Sequence, residues 1–268
     1  MNVIRSCLRY ASTATTRKRF YKEVTVVHSG NNSDRGQSGS SFEICLDSRK
    51  IRTPKGSILR IPNQALANAI ACEWAYQKNV IDQSSMHLTG LAMTSLDNPL
   101  NHTPHDIAEK ILSYLDTDTI LFPDQSQEKL YRQQIQEWGL AVKIMNESFG
   151  SDLCLVNDLT GSTTSKKSMN LFHNYLNMFD FWGLTGYSYI VESLRSFILA
   201  VLLVEQRLSA QDAVRLSSME LNYQTGIWGH VEWSHDVDYQ GTLARASAGA
   251  LFVSLSSELH HQKAKATP

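Results

Sequence analysis

At 268 residues, 42% of them hydrophobic and 19% charged, the chain can bury one large core or two modest ones and lacks the composition of a disordered or fibrous protein. Its longest apolar run, Phe197 to Val204, falls far short of the roughly 20 residues a membrane span requires. Cys7, Cys45, Cys72 and Cys154 are scattered with no ligand-like spacing, which excludes a disulfide framework and a cysteine zinc site, and a formal net charge of −1 excludes a strongly basic nucleic-acid binder.

That net charge hides an asymmetry. Arg5, Arg9, Arg17, Lys18 and Arg19 sit in the first nineteen residues with no acidic residue, among Ser6, Ser12, Thr13, Thr15 and Thr16. Such a segment reads as a mitochondrial transit peptide over residues 1–19, cut near Arg19 to Tyr21. A basic arm for nucleic acid is the alternative, and the acidic remainder argues against it.

Residues 20–98 read as a small α+β domain. Phe20 to His28 is a first strand, and Ser29 to Ser40 is a Gly/Ser/Asn-rich loop with nothing to bury. Phe42, Ile44 and Leu46 alternate with Glu43, Cys45 and Asp47, the period of a strand with one buried face. Asp47-Ser48-Arg49 and Pro54-Lys55-Gly56 are turn chemistry, so Lys50–Thr53 and Ile58–Ile61 are expected as two further strands of a meander. Pro62 closes the last one and Asn63 caps a helix. Leu66, Ile70 and Trp74 recur there at helical spacing among alanines, so Trp74 is a structural core candidate. Glu73, at the edge of that face, is expected as a partly buried, salt-bridged carboxylate. Met86 to Leu96 forms a short apolar segment, and Asp97-Asn98-Pro99 marks the boundary.

Residues 99–268 read as an all-α bundle of about six helices. Thr103-Pro104 opens the first, with Pro at a position that needs no amide. Tyr131, Ile135, Trp138, Val142, Met145 and Phe149 line the next. Phe172, Tyr175, Leu176 and Phe179 form a helix expected to end at Gly183 and Gly186. Ile190, Leu194, Phe197 and Val201 predict one central helix. Ser209, with Asp212, caps another whose buried side is Leu216, Met219, Tyr223 and Ile227. Leu243, Ala246, Ala250 and Val253 line the last, where Ala248 and Gly249 permit close contact.

His230, Glu232, His235 and Asp236 cluster in HVEWSHDVD, yet the two histidines are five apart and off a common helical face, so no metal site is expected there. Gly229 is expected to break the helix, with His235 and Asp236 bonding loose backbone ends. Asp116 and Asp118 in YLDTDT read as a self-satisfied turn. No phosphate-binding loop, dinucleotide fingerprint or nucleophile elbow occurs, so neither cofactor nor catalytic residue is assigned. Glu220, Gln224 and Trp228 recur four apart beside the core stripe. They form either a partner-contact ridge or a Trp lid over the bundle with a Glu–Gln hydrogen bond.

The blocks FEICLDSRKIRTPKGSILRIP, ALANAIACEWAYQ, MHLTGLAMTSLD, YLDTDTILF and NYQTGIWGHVEWSHD resemble, in order, the signature blocks of the ATP synthase F(1) assembly factor 2 family. His87 departs from that pattern, where the family more often has Pro. The resemblance implies a chaperone of the mitochondrial matrix that holds the unassembled F(1) α subunit and covers the apolar surface that later meets β subunits. It further implies no chemical step, no cofactor, no nucleic acid and a monomeric state. Glu220, Gln224, Trp228, His235 and Asp236 are then the client-contact candidates. A matrix enzyme using His230, Glu232, His235 and Asp236 is the alternative, and a permanent subunit of a matrix complex is a third reading.

Overall fold

The computed structural model describes residues 17–29, 41–156 and 164–256. The expected Ser29–Ser40 loop lies outside them except for Ser29, which ends a strand, and the expected leader lies outside them up to residue 16. The chain divides into two units: residues to Arg52 with Ile58–Thr89, and Thr53–Ser57 with Gly90 onward. The division falls inside the helix whose end carries the expected boundary at Asn98.

In the first unit β1 (Arg17–Lys18) pairs with β6 (Val80–Ile81), while β2 (Val24–Ser29), β3 (Ser41–Leu46), β4 (Arg49–Lys50) and β5 (Arg60–Ile61) form the main antiparallel sheet. β2 covers one edge of β3, from Val24 opposite Leu46 to Ser29 opposite Ser41. β4 and then β5 occupy the other edge, so the expected three-strand meander is replaced by one interrupted line. Between them the chain makes a small hairpin of its own, with Arg52 bridging Ile58 and Gly56 at φ +86° in the turn. That hairpin is short, and β5 satisfies its backbone on β3 instead. Glu43 is almost fully buried on β3, with Lys50 Nζ at 2.5 Å and Arg60 Nε at 3.2 Å. Burial alone would push its carboxyl up, but hydrogen bonds and charge from the two cations outweigh it and hold it below the ordinary carboxylate range.

Helix α1 (Gln64–Tyr76) is capped by Asn63, whose side chain accepts from the Ala65 amide at 2.7 Å. It buries Leu66, Ala67, Ile70 and Trp74, as the spacing predicts. Trp74 is 8% exposed, and its carbonyl accepts from the Tyr21 hydroxyl at 2.8 Å. Emptying a buried aromatic site of this kind costs roughly 3–5 kcal/mol. Glu73 holds backbone amides rather than an ion-pair partner. Its two oxygens accept from Leu88 N and Thr89 N at 2.8 Å each, and Thr89 Oγ1 donates at 2.7 Å. These amides open α2 (His87–Asp97), and free amides at a helix start favour a carboxylate.

The second unit contains α3 (Pro104–Ser113), α4 (Glu128–Phe149), α5 (Lys166–Leu176), α6 (Phe181–Leu194), α7 (Phe197–Val204), α8 (Ala210–Ser217), α9 (Met219–Trp228) and α10 (Ser234–Ser256). Two expected helices are each broken in two. After Leu194 the chain turns through Arg195 at φ +54°, and Ser196 caps α7 by accepting from Leu199 N at 3.1 Å. Residues 197–202 of α7 are fully buried, so its first amides need an internal partner. Asp118 supplies it, accepting from Ile198 N at 2.9 Å and Ser196 Oγ at 3.0 Å. The same carboxylate accepts from Ile120 N at 3.2 Å, the local turn expected of it.

Gly183 and Gly186 lie within α6 rather than ending the preceding helix, which stops at Leu176. Asp180 caps α6 by accepting from Gly183 N at 2.8 Å, and Gly186 faces α10. A Cβ on Gly186 would meet Val253 Cγ2 at 2.7 Å, and one on Gly249 would meet Ile190 Cγ1 at 2.5 Å. The close contact expected at Gly249 is therefore made with α6. On α4 the buried face runs through Leu130, Gln134, Trp138, Ala141, Val142 and Met145, with Ile135 exposed. The expected stripe is turned because Gln134 is buried with hydrogen bonds: its Oε1 accepts from Asp124 N at 2.7 Å.

Burial pushes the Asp118 carboxyl up to about 6, against the lowering effect of its hydrogen-bond donors. A carboxyl raised above its unfolded value of about 3.9 binds more protons in the native state between those two values. The stability it contributes is therefore present below about pH 4 and lost as pH rises through about 6. Asp118→Asn cannot titrate, so the stability gap between wild type and variant should narrow by roughly 2–3 kcal/mol between pH 4 and 7. Parallel denaturation curves across that range check this; a gap independent of pH would refute it.

Candidate functional site

The second unit presents its most exposed apolar surface where α9 turns into α10. The helix expected from Ser209 to Ile227 breaks at Ser218 into α8 and α9. The buried Trp138 indole stabilises the break by donating from Nε1 to the Leu216 carbonyl at 3.1 Å. Beyond it, α9 buries only Met219 and Thr225 fully. Tyr223 is half-buried, and Ile227, expected in the core, is 57% exposed. The break rotates α9, so the stripe read across 216–227 does not stay on one face.

Gly229 ends α9 at φ +91°, and its amide donates to the Thr225 carbonyl at 2.9 Å. The chain then bends through residues 230–233 into α10. Trp233 stands at φ +68° immediately before that helix, a conformation that is an outlier for a bulky residue. Its carbonyl accepts from Val237 N at 3.0 Å, closing the first turn of α10. His235 Nδ1 accepts from the Val231 amide at 3.3 Å, and its ring meets that of His230 edge-on at 5.2 Å. Gly229 thus breaks the helix as expected, with His235 bonding a loose backbone amide. Asp236 is exposed in the first turn of α10, a favourable place for a carboxylate.

Glu220, Gln224 and Trp228 share one face of α9. Glu220 is half-buried and braces α9 against α4, accepting from Gln134 Nε2 at 3.3 Å. Trp228, at 78% exposed, is no lid over the bundle. Leu221 and Ile227 on the same helix, Val231 and Trp233 in the bend after it, and Val237 on α10 are exposed as well. Sequence reasoning missed these five as surface residues. A signal was present: no Lys or Arg occurs between Leu216 and Ala244, while Glu220, Glu232, Asp236 and Asp238 do. The tip is therefore apolar with an acidic fringe.

His230, Glu232, His235 and Asp236 do not gather into a metal-binding group. Among the described residues the histidine and acidic side chains that do so are His105, Glu109 and His173.

Residues 18–146 match the family described as ATP12 chaperone protein. The mitochondrial protein atp12 of Schizosaccharomyces pombe is 25% identical over 91% of this chain and 84% of its own length. The mitochondrial protein ATP12 of Saccharomyces cerevisiae is 26% identical over 83% of this chain and 79% of its own. The crystal structure of Atp12 from Paracoccus denitrificans superposes with a TM-score of 0.75 at 25% identity, covering 89% of this chain and 98% of that one. The chain is similar to the ATP12 chaperone family over residues 18–146, just under half of its length. The matched family is described as a chaperone and both relatives are named as mitochondrial ATP12 proteins, so the comparisons favour a chaperone over the enzymatic alternative. An exposed apolar surface edged with carboxylates is the type of feature a protein contact uses.

The strain at Trp233 is open to measurement. Trp233→Gly should leave stability unchanged or raise it by up to about 1 kcal/mol, because glycine adopts positive φ without steric cost. Trp233→Val should lower it by about 1–2 kcal/mol, since a β-branched residue resists that conformation. Urea denaturation of both variants decides, and equal stabilities would remove the strain argument.

Proposed function

We propose that this chaperone binds the unassembled F(1) α subunit in the mitochondrial matrix and shields its apolar interface with the tip formed by α9 and α10. The observation that carries the reading is the exposure of Trp228 and Trp233, at 78% and 79%, on a surface without basic residues from Leu216 to Ala244. An orphan subunit exposes apolar surface that aggregates, and covering it requires a complementary apolar patch. Tryptophan supplies large contact area with few rotatable bonds, which makes it a frequent anchor. The carboxylates of Glu220, Glu232, Asp236 and Asp238 suit a client surface with a basic fringe and set orientation more than affinity. Gln224 extends the Trp228 face, His235 and Asp236 border it, and Glu220 holds α9 in place through Gln134. Release then needs only a competing β subunit that buries the same client surface more completely.

Trp228→Ala should leave the melting temperature within about 2 °C of wild type, since a surface truncation costs under about 0.5 kcal/mol. Capture of newly made α subunit should fall by about tenfold or more, as for an interface anchor. Trp74→Ala should show the opposite order, losing stability first and capture only as folded protein disappears. Undiminished capture by folded Trp228→Ala would sink the proposed contact.

The leader is proposed to end ahead of Arg17. Arg17 and Lys18 pair with Ile81 and Val80, the Arg19 amide donates to the Asn79 carbonyl at 2.9 Å, and the Arg19 guanidinium lies 4.7 Å over the Tyr21 ring. A cut at Arg19 to Tyr21 would strip these contacts from the first unit. N-terminal sequencing of protein recovered from mitochondria should find Arg17 retained; a mature start at Tyr21 would contradict this.

A further inference from the structure

Away from the α9–α10 tip, α3 and α5 bring together three side chains with metal-ligand chemistry. The first turn of α3 is held by a capping box, in which Thr103 N donates to Asp106 at 2.7 Å and Asp106 N to Thr103 Oγ1 at 3.2 Å. This sets His105 and Glu109, four residues apart, on one face of the helix. His173, in the last turn of α5, comes across to meet them. Its Nε2 lies 3.4 Å from Glu109 Oε1, and its ring stands edge-on to that of His105 with centroids 5.8 Å apart. One ligand atom from each residue falls within 4.8 Å of the others.

We propose that His105, Glu109 and His173 bind a divalent transition metal of the zinc class, with water as a fourth ligand, and that the ion pins α3 to α5. Two imidazoles and one carboxylate are an established ligand set for such ions, and a histidine and a second ligand four apart on a helix converge on one centre. Tetrahedral ligands with bonds of about 2.0–2.1 Å stand about 3.3 Å apart, close to the Glu109–His173 separation already present. The other nitrogen of His173 is also engaged: Nδ1 lies 3.0 Å from the Asn177 side-chain amide. As placed, Asn177 Nδ2 faces Nδ1; turning the amide over brings its oxygen there, so that it accepts from Nδ1–H and leaves the Nε2 lone pair for the metal. Both ligand-bearing helices are regular and capped, so the pocket is held before an ion arrives. The site is half open to solvent, which leaves room for the water.

The competing account is a simple Glu109–His173 ion pair with a histidine ring contact and no metal affinity. The full chain, free of any histidine tag and stripped with EDTA, is titrated with ZnCl2 by calorimetry and with CoCl2 by visible absorption. The expected result is one equivalent of zinc with a Kd of roughly 1 µM, a melting temperature raised by several degrees in excess zinc, and cobalt bands of tetrahedral intensity. His105→Ala and His173→Ala should each weaken zinc binding at least tenfold, while His235→Ala binds as wild type does. Melting in EDTA establishes that every variant is folded. No saturable zinc binding, binding that survives both His105→Ala and His173→Ala, or binding lost in His235→Ala would each overturn the site.

Discussion

The helical unit depends on the close apposition of α6 and α10. Gly186 and Gly249 leave no room for a methyl group on either side, so the two backbones approach until Ile190 and Val253 fill the seam. Trp182 stacks on Phe252 at 5.9 Å beside it. Removing side chains at a crossing sacrifices their own burial but lets longer neighbours interdigitate at native density. α10 runs unbroken from Ser234 to Ser256, about 35 Å at the usual rise. Its fully buried residues begin only at Ala246. The anchored half therefore fixes the position of the other half, which carries Val237 and adjoins Trp233.

Buried polar groups in both units sit where helices start or break. Glu73 holds the first amides of α2, Asp118 those of α7, and Trp138 binds the carbonyl freed between α8 and α9. A broken helix inside a protein leaves backbone groups that water cannot reach, and each costs free energy unless it is bonded. Distant side chains meet that need here. This is why a helix as apolar as α7 can be short and central without being unstable.

The tip obeys the opposite rule. Its tryptophans remain largely exposed and one of them holds a backbone conformation that its side chain disfavours. Exposed aromatic surface and local strain both reduce the stability of an isolated chain, and both are accounted for if the surface is completed by a partner. For a chaperone of the kind proposed above this is the expected division: the sheet, α1 and the buried helices supply stability, and the small unfinished surface is the proposed contact.

Local chemistry determined much of the protein from sequence alone. Asn63, Thr103 and Ser209 cap their helices through side chains that bond amides two or three residues ahead, and the Leu66/Ile70/Trp74 spacing placed Trp74 in the core. The ordered blocks from Phe42 to Asp236 carried the family. Tertiary structure decided whatever depended on a distant partner. Gln134 is buried because Asp124 and Glu220 reach it, so the α4 stripe turned, and Gly186 continues its helix because α10 needs its missing side chain. Ile227 lies outside because a break at Ser218 rotated α9 away from the face that its spacing implied. Periodicity reports which residues share a face only while the helix is continuous. Whether it continues is settled by hydrogen-bond partners that, like Asp118 and Ser196, lie far apart in the chain.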